Sequence, residues 1–293
     1  MIINFGSINI DHVYRVPHMP APGETLLATS YNKFLGGKGV NQSIAAAKAG
    51  GQVLHVGAVG NDGEWALQQI KVLGADTNQI EQLDCATGHA IIYVDDGGEN
   101  QIVIASGANT RFTEAMIDTA LDGADPEYDW VLLQNETNLA DYIVANANER
   151  GFKIAYAAAP FVADTTLKLL DKITLLAVNE GEASALVKAL GVNSDGIPVP
   201  ELLVTLGDKG AKFISETVDI QQRAYAVEVV DTTGAGDTFL GSFLAHYTND
   251  RDAKAAISYA SAASALQIMQ EGAATAIPEN DVVIKFMEQN KPA

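Results

Sequence analysis

Short apolar runs of strand length alternate with helix-like segments along most of this chain, and few folds accommodate that rhythm. The strand pattern falls on residues 2–7, 53–59, 130–134, 153–156, 173–178 and 202–206. Helical spacing falls between them, on 40–49, 64–73, 113–121, 139–149, 165–170 and 180–190. A strand, a helix and a second parallel strand join with a right-handed crossover, so the expected class is α/β. The expected architecture is a doubly wound, mostly parallel sheet flanked by helices. Ligands of such sheets collect beyond the carboxyl ends of the strands.

Two stretches break the rhythm. Residues 12–35 and 86–106 hold strand-like pieces with no helix between them. In the second, 89–94 and 101–104 flank Asp95-Asp96-Gly97-Gly98-Glu99-Asn100, a hairpin signal. The economical arrangement is a small β-sheet, from 12–35 and 86–106, protruding from a body of 1–11, 36–85 and 107–293. It is expected to be a lid over the site or a dimer surface. Residues 191–201 contain Pro198 and Pro200 without a helical period and are expected to form a loop.

The most informative local stretch is Val230-Asp231-Thr232-Thr233-Gly234-Ala235-Gly236-Asp237-Thr238-Phe239-Leu240. Residues 224–230 before it read as a strand. Residues 239–247 after it read as a helix with Phe239, Phe243 and Tyr247 on one face. A glycine-rich turn into a helix offers unpaired N–H groups and the positive end of a dipole, which suits phosphate. Asp237 in the first turn stands where a base can take a proton from a hydroxyl. A cap and a tight turn would explain the same residues one at a time, but capping needs only one of Asp231 and Asp237.

Other strand ends carry weaker signals. Gly36-Gly37-Lys38-Gly39-Val40-Asn41-Gln42 opens a helix and lacks the spacing of a Walker A loop. Asp11 suits a pair of vicinal hydroxyls or a turn, and Glu136 suits a ligand or a helix cap. Asn179 and Glu182 suit a hydrated magnesium or a capping box. Thr205, Gly207 and Gly210 suit nucleotide phosphate or a hairpin turn. The five histidines show no metal-ligand spacing, and nothing pairs with the single cysteine, Cys85.

Charge narrows the partners. With 18 basic against 37 acidic side chains the formal charge is −19, which disfavours nucleic acid and anionic membrane. ATP would be repelled at long range, so a nucleotide site must rely on local donors and a divalent cation. The N-terminus lacks a signal-peptide pattern, and no apolar run approaches about 18 residues. A cytoplasmic protein is expected.

Taken in order, Asp11, Gly36-Gly37-Lys38-Gly39-x-Asn41-Gln42, Asn179-x-x-Glu182, Thr205-Leu206-Gly207-x-x-Gly210 and Asp231-Thr-x-Gly-Ala-Gly-Asp237 resemble the ribokinase (PfkB-type) carbohydrate kinases. The resemblance spans Ser7 to Pro278. It implies ATP-dependent phosphorylation of a sugar primary hydroxyl, D-ribose to ribose 5-phosphate first, in a homodimer joined through the lid sheet. By the same resemblance Asp237 is the base, and Gly234, Ala235 and Gly236 form the anion hole. Asp11, Gly37, Lys38, Asn41, Glu136 and Asp231 hold the sugar, with Ala90 and Ile104 over its apolar face. Asn179, Thr205, Gly207 and Gly210 meet the nucleotide, and Asn179 and Glu182 organise Mg2+ through water. A potassium site is implied at Asp231, Thr233, Gln267, Gln270 and Gly272, weakened because Ala276 stands where a hydroxyl is usual.

Ala157-Ala158-Ala159-Pro160 also departs from the family's Asn-Pro-Ala-Pro. Rival expectations are a kinase for another furanose-like sugar, a nucleoside or a 2-keto-3-deoxy sugar acid. A silent sugar-binding regulator is a rival from another class. A dinucleotide-binding dehydrogenase fails because no Gly-x-Gly-x-x-Gly follows the first strand.

Overall fold

Strands that are apolar at every position, not at alternate ones, need cover on both faces. The computed structural model describes residues 1–192 and 196–292. Its first strand, β1 (Ile2–Phe5), sends Ile2 into one apolar core and Ile3 and Phe5 into another. The chain continues through β2 (Asn9–Val16), β3 (Ser30–Gly36), α1 (Lys38–Lys48), β4 (Val53–Val59), α2 (Glu64–Val72) and β5 (Asp76–Gln82). Next come β6 (Gly88–Asp95), β7 (Asn100–Ala105), α3 (Glu114–Asp122), β8 (Trp130–Gln134), α4 (Ala140–Glu149) and β9 (Lys153–Ala157). Then follow α5 (Ala163–Leu169), β10 (Leu175–Asn179), α6 (Glu180–Leu190), β11 (Glu201–Thr205), β12 (Ala211–Ser215) and β13 (Asp219–Gln222). Three helices close the chain: α7 (Ala235–Asp250), α8 (Ala253–Gln267) and α9 (Asn280–Gln289).

Nine strands form the main sheet in the order β13-β12-β11-β10-β9-β8-β1-β4-β5. Every pairing from β11 to β5 is parallel, and β12 and β13 add an antiparallel edge. Alternation sorts the side chains: Trp130 and Leu132 of β8 join α7 and α8 on one face, and Val131 and Leu133 join α3 and α4 on the other. The six sequence-legible strands and six helices are all present, within a few residues of their expected limits. β5 and β13 escaped notice because edge strands rich in Asp, Asn, Gln and Glu carry no apolar run.

One expected strand is absent. Residues 224–230 follow β13, the edge strand that ends at Gln222, and join no ladder. Tyr225 and Val227 pack on the α7–α8 core, which explains the apolar alternation, while Val230 N–H donates to the Ile268 carbonyl at 2.8 Å. Of the loop expected over 191–201, residues 193–195 lie outside the described residues, and 197–200 are neither helix nor strand.

The second sheet has the order β3-β2-β6-β7. The hairpin of β6 and β7 forms where the sequence signals it, and Asp95 Oδ1 accepts from the Gly97 and Glu99 N–H groups at 2.8 and 3.0 Å. This sheet takes in Asn9–Val16, so Asp11 stands on one of its strands. Ile8, Ile10 and Leu35 anchor its base against Val40 and Ile44 of α1 and Ile70 of α2. Among the described residues no helix is long and apolar enough to cross a membrane.

Candidate active site

Strand order reverses between β1 and β8, since the chain continues from β1 toward β4 on one side and from β8 toward β9 on the other. The crevice at their carboxyl ends is where a doubly wound sheet takes a ligand. Ser7, just past β1, donates its hydroxyl to Glu136, just past β8. Glu136 Oε2 also accepts from the Lys38 N–H at 3.0 Å, and Ser7 takes the Gly39 and Val40 N–H groups at 3.2 and 2.9 Å. The first turn of α1 is thereby satisfied inside the protein and offers no anion site. Glu136 is not the cap of α4, whose N-cap position is Leu139.

The start of α7 is different. Gly234 holds the N-cap position with φ 78°, and Ala235 N–H turns back to the Thr232 carbonyl at 3.2 Å. The N–H groups of Gly234, Gly236 and Asp237 find no acceptor among the described residues. They face a cavity of about 290 Å³ lined by Lys38, Gln42, Asn179, Glu182, Thr205, Asp237 and the turn 234–236. Ala157, Ala159 and Ala177 supply small walls, so the departure at 157–160 leaves methyl groups where an amide was expected.

Asp237 is 8% exposed, and both its oxygens are held by α1: Oδ2 accepts from Asn41 Nδ2 at 3.2 Å and Oδ1 from Gln42 Nε2 at 2.9 Å. Burial pushes its pKa up to about 6, against the pull of the Lys38 ammonium and of the two amide donors. Lys38 is itself held above the ordinary lysine range: burial works against its charge, but Asp237, Glu136 and Glu182 outweigh it. Behind Asp237 runs a buried polar chain. Gln134 Nε2 donates to Gln42 Oε1 at 2.8 Å and to Asn4 Oδ1 at 2.9 Å. Asn4 Nδ2 donates to Ser43 Oγ at 2.8 Å, and Ser43 meets His55 Nδ1 at 2.8 Å. Burial drives His55 down to about 4, so it stays neutral. Reading the sequence missed Gln42, Gln134 and Asn4 as supports of the Asp237 carboxylate, because the partners they meet are distant in the chain.

Asp11 has its pKa raised to about 6 by burial and then by Glu136. A Cβ on Gly36 would stand 2.1 Å from Asp11 Oδ2, which is why glycine opens the turn there. Asp11, Ala90 and Ile104 are register partners across the small sheet and share one face. Ala90 is buried, Ile104 is 61% exposed, and neither lines the cavity. Gly37, with φ 101°, packs its Cα over Ser7 and Asn9.

Asn179 and Glu182 form a reciprocal capping box at 2.8 Å each way. That occupies Asn179 Oδ1 and Glu182 Oε2, while Glu182 still walls the cavity. Among the described residues no cluster of His, Cys, Asp or Glu is set to hold a metal directly. One carboxylate beside a phosphate-sized space fits a magnesium ion that keeps most of its waters.

A second cavity of about 910 Å³ continues from the first, sharing Asn179, Thr205, Thr232, Ala235 and Gly236. Gly207 and Gly210 line it at positive φ of 61° and 99°, and Tyr225, Val227 and Phe239 make it largely apolar. Asp231 lines neither cavity. Its Oδ1 accepts from Thr233 N–H and its Oδ2 from Gly272 N–H, both at 2.9 Å, so it clasps two loops rather than facing the crevice. Gln267 Nε2 donates to the Thr233 and Gly272 carbonyls, and Gln270 is exposed.

Comparison with known proteins agrees with this geometry. The pattern of the pfkB family carbohydrate kinases matches residues 1–280. A ribokinase of Haemophilus influenzae is 34% identical over 298 residues, covering 97% of both chains. The crystal structure of a Thermotoga maritima ribokinase superposes with a TM-score of 0.86 at 30% identity, over 98% of each chain. An Arabidopsis thaliana ribokinase complexed with ribose and ATP gives a TM-score of 0.85 at 27% identity, over 97% of each chain.

Proposed function

The chain belongs to the pfkB family of carbohydrate kinases, and from that premise we propose that it transfers the γ-phosphoryl group of ATP to the 5-hydroxyl of D-ribose. The observation that carries the reading is a buried carboxylate, Asp237, one residue from an unpaired Gly236 N–H at a helix start, in one cavity with Lys38. Asp237 takes the hydroxyl proton as the sugar oxygen bonds to phosphorus. The bond from phosphorus to the bridging oxygen breaks, and ADP leaves with that electron pair. Charge developing on the phosphoryl oxygens meets the Gly234 and Gly236 N–H groups, the α7 dipole and the Lys38 ammonium. Such transfers depend chiefly on positioning and neutralisation, which these groups supply. Magnesium held through water at Glu182 would neutralise nucleotide phosphate when bound.

For the sugar, Asn41 Oδ1 is a buried acceptor with no partner among the described residues, as expected of an atom awaiting a hydroxyl. Asp11, Glu136 and the Gly37–Lys38 backbone complete the sugar side, with Ala90 and Ile104 above it when the small sheet, residues 9–36 and 88–105, acts as a lid. Thr205, Gly207 and Gly210 belong to the larger, apolar cavity, which suits a nucleotide base and ribose. None of the matched sugar positions is arginine, which favours a neutral sugar over a sugar acid. Potassium has no part in this reading, for the reason developed below. Residence in the cytoplasm, where ATP is supplied, and dimerisation through the small sheet complete it.

Asp237→Asn tests the assignment. Loss of a positioned base should lower kcat by about 100-fold or more, with sugar binding retained. In the unmodified enzyme kcat/KM should fall as pH drops below about 6, where Asp237 gains a proton. Turnover measured on ribose, deoxyribose, fructose, nucleosides and 2-keto-3-deoxygluconate fixes the acceptor. Near-normal turnover in the variant refutes the role of Asp237, and a preference for another acceptor refutes ribose.

A further inference from the structure

Gln267, the last residue of α8, has a side chain with no solvent exposure. Its Nε2 donates to the Thr233 carbonyl at 2.7 Å and to the Gly272 carbonyl at 3.1 Å. These are two of the oxygens that the family resemblance offers to a monovalent cation, and they come from two separate loops. A carboxamide –NH2 carries two donors, so it satisfies both carbonyls from one point between them. A cation would need that same point. The Gln267 carbonyl is engaged as well, by the Gln270 N–H at 3.1 Å, and Ala276 brings no hydroxyl. The residues present do not fit a potassium ion.

The amide orientation is decided by its surroundings. Turned over, it would set Oε1 against two carbonyl oxygens; as it stands, Oε1 is buried with no donor among the described residues, which is the lesser penalty. Asp231 joins the same two residues through their N–H groups. Thr233 and Gly272 are thus tied twice, N–H to N–H through a carboxylate and C=O to C=O through a carboxamide. The Thr233 peptide leads directly into Gly234, the N-cap residue of α7, so its orientation aims the N–H groups at the phosphoryl site.

We infer that the Gln267 carboxamide occupies the place of the monovalent cation and holds the phosphate-binding turn by itself, so that this kinase works without potassium. Gln267 is a positioning residue, acting through Thr233. The inference rests on reading the α7 start as the phosphate cradle, but its test does not need the sugar to be ribose.

Turnover, and the melting temperature with ADP bound, are to be measured at constant ionic strength in potassium, sodium and tetramethylammonium chloride. The wild-type protein should vary by less than about twofold, with no potassium-specific rise in melting temperature. Stimulation of about fivefold or more, the low end of coupling between two sites, overturns the proposal. Gln267→Ala opens a space of cation size. Its turnover should fall roughly ten- to a hundredfold in tetramethylammonium, the scale of displaced catalytic groups, and recover in potassium. Equality with the wild type in every salt, or a folded variant that no salt restores, overturns the equivalence of amide and ion. If the variant does not fold, the wild-type comparison decides alone. A protein that phosphorylates none of the sugars refutes the proposed activity, while ADP-bound melting still answers the question about the ion.

Discussion

Burial pushes the Asp237 pKa up to about 6, against the pull of three neighbours, Lys38, Gln42 and Asn41, which favour the carboxylate that the proposed base needs. Of these Gln42 has the shorter amide contact and is itself fixed by Gln134, so the Asp237 carboxylate inherits its direction from β8 through α1. Gln42→Met keeps the volume and removes the donor. A hydrogen bond to a carboxylate is worth about 1.5–3 kcal/mol, so its loss should raise the Asp237 pKa by about one unit or more. The acid limb of the kcat/KM profile should move to higher pH by that amount, with the KM for ATP little changed. An unmoved limb would show that Gln42 does not support the base. Neither amide was assigned that task from its sequence neighbourhood, because a hydrogen bond spanning 195 residues leaves no local mark.

Elements set these distances by approaching closely. A Cβ on Gly39 would lie 2.3 Å from the Gly6 Cα and 2.4 Å from the Ser7 N, so α1 begins almost in contact with the end of β1. On α7, a Cβ on Gly241 would meet the Gln42 carbonyl at 2.3 Å, which lets α7 lie against α1 and bring Asp237 to Asn41 and Gln42. Gly39→Ala should therefore cost about 1–3 kcal/mol through overpacking, and lower activity further by moving Lys38. Thermal unfolding and turnover would measure both effects, and an unchanged melting temperature would contradict the contact. Periodicity exposed the strands β1, β4, β8, β9, β10 and β11 and the helices α1 to α7, while α8, α9 and β12 were not read from it. It misplaced 224–230, where the apolar alternation of Tyr225 and Val227 serves a helical core with no strand beside it to pair. It also could not tell two glycine-rich helix starts apart: α1 spends its N–H groups on Ser7 and Glu136, whereas the Gly236 and Asp237 N–H groups of α7 find no acceptor among the described residues.

At the scale of the molecule, the small sheet exposes Ile102, Val103 and Ile104 in succession along β7, with Val103 65% exposed. Consecutive strand residues face opposite sides, so both faces of β7 carry uncovered apolar surface. That is the surface proposed to join two copies. Val103→Asp should convert a dimer to a monomer in light scattering while leaving the fold intact; an unchanged mass would remove this strand from the interface. A charge of −19 spread over the chain makes the few positive features of the crevice, Lys38 and the unpaired N–H groups at the start of α7, matter more for drawing in ATP.

Order along the chain was enough to determine the α/β class, the place of the two interrupting β segments, the family and the candidate for the base, because apolar period, turn residues and short motifs are local properties. Only the folded chain decided which polar groups are already spent. Glu136 and Asp231 proved to be clasps between segments, Gln42 and Gln134 the supports of the Asp237 carboxylate, and Gln267 a bridge between the Thr233 and Gly272 carbonyls. Whether a donor or acceptor is free depends on partners distant in sequence, and a buried group takes whichever partner the packing brings within reach.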